Sequence, residues 1–398
     1  MTKHLFNFYL FENNFQFSLP EIICFALLFV AFCYQIYYYF RYINGVNRYN
    51  GKIKKNKIAF AEKQEPVSVI VCAKNEGENL LRFLPILLNQ EYPDYEVIVI
   101  DDASDDNTPF ILNNFQKQYS HLRTTFVPHD VTNLSTKKLG LTLGIKAAKN
   151  ELLLFTDADC RPSSAHWLAK MARNFTPKTE FVLGYGAYNE QNTALNSFIT
   201  YDTLFIALQY MGMALDGKPY MGVGRNLAYR KSAFFAQQGF ISSLGLRSGD
   251  DDLLVNHSGN RENTRVEISS ESVTWSDSKH SFKSWFFQKT RHLSVSHAYT
   301  PKSRLQLLLE PLSREIFYLF FILSAVCGNL LTLSIGVLLF LVRYFLQFYT
   351  INKGSKLFGS KRKYKLSLIA ADIALPLVSL FIFAVKQPRR NANRIYWK

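Results

Sequence analysis

Asp157 and Asp159 stand one residue apart at the end of an apolar run, in LLLFTDADC (152–160). Two like charges that close repel unless a cation lies between them. Paired carboxylate oxygens suit a hard divalent ion. Asp101 and Asp102 end a second apolar run, YEVIVIDD, and a third, VSVIVCA, ends in Lys74, Asn75 and Glu76. Further on, SGDDDLLVN places Asp250, Asp251 and Asp252 ahead of a hydrophobic pair. Acid in the first turn of a helix is favoured by the dipole, which accounts for one or two of the three. A third adds repulsion and raises a carboxylate's proton affinity, which suits a general base. Lys137 and Lys138 open a helical pattern, where cations oppose the dipole unless something anionic lies near. In WFFQKTRH, Gln288, Arg291 and His292 fall on an amphipathic helix, with Arg291 and His292 meeting either a pyrophosphate or lipid headgroups. YMGVGRNLAYRKSAF (220–234) is glycine-rich and aromatic, as a loop that meets a substrate would be.

Elements that alternate in type must position these groups. The β-branched run 67–73 is followed by helical spacing over 79–90, with Leu80, Phe83, Leu84 and Leu87 on one face. The run 95–101 predicts a second strand, 109–119 a helix, 124–128 a strand, 137–149 a helix and 152–155 a strand. This alternation predicts a parallel sheet with helices on its faces. Ligands of such sheets bind beyond the carboxyl ends of the strands. A single aspartate there is commonly an Asx turn or a cap. Three consecutive strand ends in register argue instead for one shared polar cleft. No G-x-G-x-x-G follows the first strand and no G-x-x-x-x-G-K-[ST] occurs, so phosphate recognition falls to a metal and lysines.

Charge and hydropathy place the chain at a membrane. The formal net charge is +15 and aromatic residues make up 15% of the chain. Three acid-free stretches, 41–57, 353–365 and 386–398, hold seventeen basic residues, more than the whole excess. Each touches a hydrophobic segment, the pattern of juxtamembrane anchors facing an anionic leaflet; a nucleic-acid binder would spread its charge over a folded face. Residues 20–40 are apolar apart from Glu21 and Gln35 and read as an uncleaved anchor, with Arg41 onward in the cytoplasm. Residues 316–349 are too long for one straight crossing, with Gly328-Asn329 or Gly336 as the turn. Segment 366–385 carries Asp372 and Pro376, and crosses, re-enters or lies in the interface. The five scattered cysteines exclude a disulfide framework and a zinc site by spacing.

Over residues 66–295 the chain resembles the family-2 glycosyltransferases. VSVIVCAKNEGENL is similar to that family's opening strand and Asn-Glu turn, YEVIVIDDASDDNT to its nucleotide-binding stretch and TDADC to its D-x-D motif. GDDDLL stands where the family has Glu-Asp, and QKTRH where many members have Q-x-x-R-W. The resemblance implies a GT-A fold, Rossmann-like with a mostly parallel sheet and helices on both faces, and inverting chemistry. It implies that Asp102 contacts the nucleotide base, with Ala73, Asn75 and Glu76 lining the same pocket. Lys137 sits near the nucleotide, Asp157 meets the ribose side, and Asp159, with Asp157, holds Mg²⁺ or Mn²⁺ on the diphosphate. Asp251 or Asp250 removes the acceptor proton, and Gln288, Arg291 and His292 steady the leaving diphosphate. Asp250 in place of Glu leaves the register of the base open by one residue, and His292 in place of Trp departs from the processive members.

The organisation expected is an N-terminal segment 1–45 with its anchor at about 20–40, a basic linker 46–65 and a catalytic domain 66–275. Interfacial helices 276–314, membrane helices 315–386 and a basic tail 387–398 follow. The expected protein is a multi-pass inner-membrane glycosyltransferase with cytoplasmic chemistry, using a UDP- or GDP-sugar and a lipid-linked or cell-surface glycan acceptor. Its partners include membrane lipids and exclude nucleic acid. A nucleotidyltransferase and a non-catalytic nucleotide-sugar-binding scaffold are the alternatives.

Overall fold

The computed structural model describes residues 5–10, 13–128, 136–244, 246 and 248–385. Ten strands carry the central unit: β1 (Val67–Ala73), β2 (Tyr95–Asp101), β3 (Leu122–Phe126), β4 (Leu152–Asp157), β5 (Arg161–Pro162), β6 (Phe181–Leu183), β7 (Gly186–Tyr188), β8 (Leu227–Arg230), β9 (Thr264–Val266) and β10 (Thr274–Ser276). The helices that concern function are α1 (Leu19–Tyr38), α2 (Gly45–Lys54), α3 (Gly77–Leu88), α4 (Thr108–Gln118), α5 (Thr136–Ala147), α6 (Trp167–Ala172), α7 (Ala194–Leu215), α8 (Lys231–Ala236), α9 (Asp252–Ser258), α10 (Phe282–Leu293), α11 (Pro301–Cys327), α12 (Leu330–Leu357) and α13 (Ser367–Val385).

Seven strands form one sheet in the order β9-β6-β8-β4-β1-β2-β3. β4, β1, β2 and β3 run parallel, and β8 is antiparallel to both β4 and β6. Alternation along β1 sorts its side chains. Val67, Val69 and Val71 join the core of α3, α4 and α6, whereas Ile70 and Cys72 join that of α5 and α7. The spacing of Leu80, Phe83, Leu84 and Leu87 buries one face of α3, which begins and ends two residues earlier than its sequence pattern suggests. β3 is likewise displaced, covering Leu122–Phe126 instead of 124–128. Gly144 lets α5 lie close to the sheet, since a Cβ there would stand 2.6 Å from Ile100 Cδ1. A short second sheet, β5-β10-β7, lies next to the first.

The chain leaves the central unit through helices that are apolar on their outer faces. α1 contains both polar exceptions of the predicted anchor, and each has a partner. Glu21 closes a capping box, accepting from the Ser18 backbone N–H at 2.7 Å. Gln35 donates to Ser313 Oγ at 2.8 Å and accepts from Arg343. The stretch read as a basic linker starts with α2, whose Val46 is buried and whose Asn47 donates to the Thr350 carbonyl. Gly328-Asn329 is the break between α11 and α12, with the Asn329 side chain accepting from Thr332 N–H at 3.0 Å; Gly336 lies inside α12. α11 runs unbroken across residue 314, so the segments expected to be interfacial and membrane-spanning share one helix.

Among the described residues, three helical stretches are long and apolar enough to cross a membrane: Leu19–Lys54, Ala194–Leu215 and Leu330–Leu357. The second, α7, is mostly buried within the protein, 78% of its most apolar window. It is a core helix, and its polar groups have protein partners. Asp202 pairs with Lys289 at 2.6 Å, Tyr201 accepts from Gln347 at 3.0 Å and Tyr210 donates to the Gly184 carbonyl at 2.5 Å.

Asp372, the charge that made segment 366–385 ambiguous, faces inward from α13. It meets Arg343 at 2.7 Å and Arg314 at 3.3 Å, while Tyr318 donates to it at 2.6 Å and Gln347 at 2.8 Å. Glu310 pairs with Arg314 at 2.5 Å. Two acids and two arginines therefore neutralise one another where α1, α7, α11, α12 and α13 meet. Removing one partner of such a buried cluster strands a charge, at a cost of roughly 3–5 kcal/mol. We expect Arg343→Met to lower the Tm of the detergent-solubilised chain strongly, and Arg343→Met with Asp372→Leu to lose less. An unchanged Tm for the single variant would show that the cluster does not hold the helices together.

Candidate active site

Strand register brings the carboxylates together. Cys72 of β1 lies opposite Asp157 of β4, and Ala73 opposite Asp101 of β2, so the three strands end level. β8 runs the other way with Leu227 opposite Phe155, which places the loop Gly224–Asn226 at the same edge. α9 begins there too, since Asp251 accepts from the Gly224 N–H at 2.5 Å.

Lys137 is the cation at the centre. Its Nζ lies 3.3 Å from Asp157 Oδ1 and 3.6 Å from Asp250 Oδ2, bridging the first strand-end pair and the later acidic triplet. Burial works against its charge, but Asp157, Asp250 and Asp251 together raise its proton affinity above that of an ordinary lysine. Burial likewise works against ionised Asp157, yet Lys137, Arg225 and Arg291 hold it below the usual carboxylate range. Asp159 is pushed up by burial and then by Asp157. The two residues of the D-x-D motif thus differ: Asp157 has its positive partner and Asp159 lacks enough of one.

Lys138, one residue on, does something unrelated. It is fully buried and donates to the carbonyls of Ser243, Leu246 and Ser248 at 2.6, 2.8 and 3.0 Å. It gathers the chain that leads into Asp250. The two lysines expected to need an anion at the helix start therefore find two carboxylates and three carbonyls.

The turn after β1 is stitched to the loop after β2. Asn75 takes a left-handed conformation, φ 54°, which asparagine tolerates. Its side-chain oxygen accepts from the Asp105 N–H at 2.8 Å, and its own N–H donates to Ser104 Oγ at 2.9 Å. The Gly77 N–H donates to Asp106 Oδ2 at 3.1 Å. Glu76 accepts from Asn79 at 2.6 Å and is raised by burial. Ala73 and Asp102 are buried behind this turn. Thr136 donates to Asp102 Oδ2 at 2.8 Å, but Oδ1 is buried with no partner among the described residues. An unsatisfied buried carboxylate oxygen is costly, and an N–H of a bound ligand would satisfy it.

The triplet splits by role as well. Asp250 faces Lys137. Asp252 is buried and accepts from Tyr299 OH at 3.0 Å. Asp251 lies between them, accepting from the Gly224 and Asp252 N–H groups. Burial and the Asp250 charge push its carboxyl up to about 6.

α10 brings Gln288, Arg291 and His292 to the cleft unequally. Gln288 donates to Tyr188 OH at 3.1 Å. Arg291 and His292 are exposed and lie 3.3 Å apart, and the Arg291 charge still reaches Asp157. A residue not singled out from the sequence is Arg225. It donates to the Gly186 carbonyl and to Ser276 Oγ, both at 2.8 Å, and lies over the Tyr188 ring. Its charge lowers the proton affinity of both Asp157 and Asp159. The only signal was its place in the glycine-rich stretch 220–234, since nothing in sequence pairs it with residues about 65 positions earlier.

A divalent ion fits these donors. Oxygen atoms of Asp157 and Asp159 and the sulfur of Cys160 lie within 4.8 Å of one another. The buried thiol donates to Asp159 at 3.3 Å and its proton affinity is raised by burial, so Cys160 supports a carboxylate and is not itself a thiolate ligand. That leaves an all-carboxylate donor pair, the type hard cations select.

The sheet, its antiparallel β8 and the acidic edge define a GT-A fold with apolar helices at both ends. Residues 68–235 match the family model for glycosyl transferase family 2. A probable glycosyltransferase of Bacillus subtilis, YdaM, is 24% identical over 324 residues, covering 80% of this chain and 71% of that protein. The poly-β-1,6-N-acetyl-D-glucosamine synthase of Staphylococcus epidermidis is 32% identical over 158 residues, 39% of this chain and a third (33%) of its own length. Among solved structures, the mannosyltransferase PcManGT of Pyrobaculum calidifontis, in complex with GDP-Man and Mn²⁺, aligns with a TM-score of 0.55 at 19% identity. The alignment covers 89% of this chain and 98% of that one. Over residues 68–235 the chain carries a family-2 glycosyltransferase domain. It is thus an enzyme of glycosyl transfer, and the nucleotidyltransferase and scaffold alternatives fall away.

Lys138 separates architecture from chemistry. Lys138→Met leaves three carbonyls short of a donor, at roughly 1–3 kcal/mol for each group left buried and unsatisfied. We expect a lower Tm and faster amide exchange at Leu246 and Ser248. Wild-type exchange there would show that the lysine does not organise the approach to Asp250.

Proposed function

We propose that the protein is an inverting transferase that moves a sugar from a UDP- or GDP-sugar to a lipid-linked or cell-surface glycan at a membrane, with its catalytic unit on the cytoplasmic side of the inner membrane. The observation that carries the reading is the position of Lys137, held between Asp157 on the donor-side pair and Asp250 beside the candidate base. An inverting transfer needs a base on one side of the sugar and a stabilised leaving group on the other. Those two functions must share one cleft without neutralising each other.

On the donor side, Asp102 accepts from the nucleotide base, using the oxygen that has no partner among the described residues, with Ala73, Asn75 and Glu76 shaping the pocket. Asp157 meets the ribose. Asp159, with Asp157, would hold Mg²⁺ or Mn²⁺, which supplies a positive charge against the diphosphate as it departs. Lys137 and Arg225 add fixed positive charge, and exposed Arg291 and His292, with Gln288 behind them, approach the leaving diphosphate from α10. Preorganised charge of this sort is commonly the largest contribution to such a barrier. On the acceptor side, Asp251 takes the hydroxyl proton. Two N–H donors fix its carboxylate, and Asp250 raises its basicity. The membrane acceptor is supported by the apolar helices at both ends, which a soluble acceptor would not require. The Staphylococcus relative is named for a polysaccharide product, in keeping with a glycan acceptor.

Asp251 must be ionised to act as a base. With its carboxyl at about 6, kcat/KM should be flat above that pH and fall tenfold per unit below it. The sign for folding is opposite: a raised folded pKa means stability is lost as pH climbs from 3.8 through about 6. Asp251→Asn should cut transfer about 10²–10⁴-fold, and equal transfer by the variant would overturn the assignment.

The donor can be identified by thermal shift with UDP, GDP and their sugars, with and without Mn²⁺. A stabilising nucleotide sugar is expected, and Asp159→Asn should remove the Mn²⁺-dependent part of the shift. No response to any nucleotide would sink the donor site.

A further inference from the structure

The segment joining α12 to α13, GSKRKYK (359–365), has two faces. Lys361, Lys363 and Lys365 are exposed, while Arg362 and Tyr364 between them turn inward. This is the alternation of an extended chain. The inner face is docked on the catalytic unit. Arg362 donates to Thr200 Oγ1 at 3.0 Å and to the Gln191 carbonyl at 2.5 Å, and Tyr364 OH donates to Thr200 at 3.1 Å. The Glu190 carboxylate accepts from the N–H groups of Lys361 and Arg362 at 2.9 and 3.1 Å. Just before the segment, Phe358 is buried against Tyr185, with ring centroids 4.6 Å apart. Tyr185 immediately precedes β7, whose Gly186 carbonyl and Tyr188 ring hold Arg225 at the active-site edge.

The outer face has no such use. Lys356, Lys361, Lys363 and Lys365 are exposed and form no ion pair with an acidic residue among the described residues. They lie at one end of two apolar helices, with Leu366, 77% exposed, directly after Lys365 and Tyr349, 54% exposed, two turns before Lys356 on α12. A row of lysines edged by exposed apolar side chains fits the headgroup layer of an anionic bilayer.

We propose that this segment is a lipid-reading coupler: anionic phospholipid headgroups bind its outer lysine row and thereby tighten its inner face on Glu190, Gln191 and Thr200. The linkage is thermodynamic. Docking fixes the backbone so that three lysines project together, so headgroups bind the docked form better and shift the segment toward it. The effect reaches the active site through Phe358, Tyr185 and the β7 groups that hold Arg225. The proposal rests on the membrane reading of α12 and α13 and is independent of which sugar is transferred.

The test is amide hydrogen exchange on the full chain in nanodiscs of neutral phosphatidylcholine or of phosphatidylcholine with phosphatidylglycerol. The amides of Lys361 and Arg362, which Glu190 accepts, should exchange on the order of tenfold more slowly in anionic discs. Changing Lys356, Lys361, Lys363 and Lys365 to Gln should abolish the difference while leaving exchange in neutral discs unchanged. The same charge loss at Lys52, Lys54, Lys55 and Lys57 should leave the difference intact. Soluble glycerol phosphate should not reproduce it, since a bilayer, not a free phosphate, presents the row of charges. Equal exchange in both discs, faster exchange in anionic discs, or equal loss from the two lysine sets overturns the coupler. Failure of the chain to insert into either disc overturns the membrane reading, and the coupler with it.

Discussion

Too much negative charge at one place is the constraint around which the catalytic unit is arranged. Asp157, Asp159, Asp250, Asp251 and Asp252 converge on one sheet edge, with Glu76 and Asp102 close behind. The protein supplies Lys137 and Arg225 against them and stops short of neutrality. Burial, and then that imbalance, raise the proton affinities of Asp159 and Asp251, while Asp157 is held below the usual carboxylate range. One imbalance thus yields two capacities: a place for a cation to arrive with an anionic substrate, and a carboxylate basic enough to accept a proton near neutrality.

The fold serves that arrangement by register. Level ends on β1, β2 and β4 stack three acidic turns, and the reversed β8 returns the chain to the same edge with Arg225 and the Gly224 N–H. Gly224 and Arg225 precede β8, and residues that precede a parallel strand would lie at the opposite edge. Asn226 then joins the two sheets, accepting from the Trp167 indole at 3.1 Å and donating to the Tyr185 and Ser272 carbonyls.

Local signals made much of this legible in sequence, and long-range ones did not. The strand-end aspartates announced themselves because carboxylates after a buried apolar run have few structural uses that repeat in register. The Gly328-Asn329 break was legible because asparagine caps helices. Lys137 and Lys138 carried the same signal, cations against a helix dipole, and went to different partners, which only the packing of α5 against the Ser243–Ser248 region decides. Arg225 left no local trace beyond its place in the glycine-rich stretch 220–234. α7 was hidden for a different reason: its apolar run is punctuated by Asp202, Gln209 and two tyrosines, which obscure a helical stripe until their partners are known. Asp372 marked its segment as unusual, but its resolution lay in Arg314 and Arg343, 58 and 29 residues away.

α7 joins the two halves of the molecule. Tyr201 accepts from Gln347, which also donates to Asp372, so this residue belongs to the charge cluster among the apolar helices. Its neighbour Asp202 pairs with Lys289 on α10, the helix that carries Gln288, Arg291 and His292. One turn of a buried helix therefore touches both the buried charge cluster and the helix that brings Gln288, Arg291 and His292 to the cleft. Gly212, farther along, admits the Tyr42 backbone so closely that a Cβ would stand 1.9 Å from its carbonyl oxygen. Held at both points, α7 cannot slide relative to the apolar helices without breaking buried hydrogen bonds. The position of the catalytic edge relative to those helices is fixed by the same interactions that make the helices pack, so an acceptor carried in the membrane would meet a cleft whose distance from it is already set.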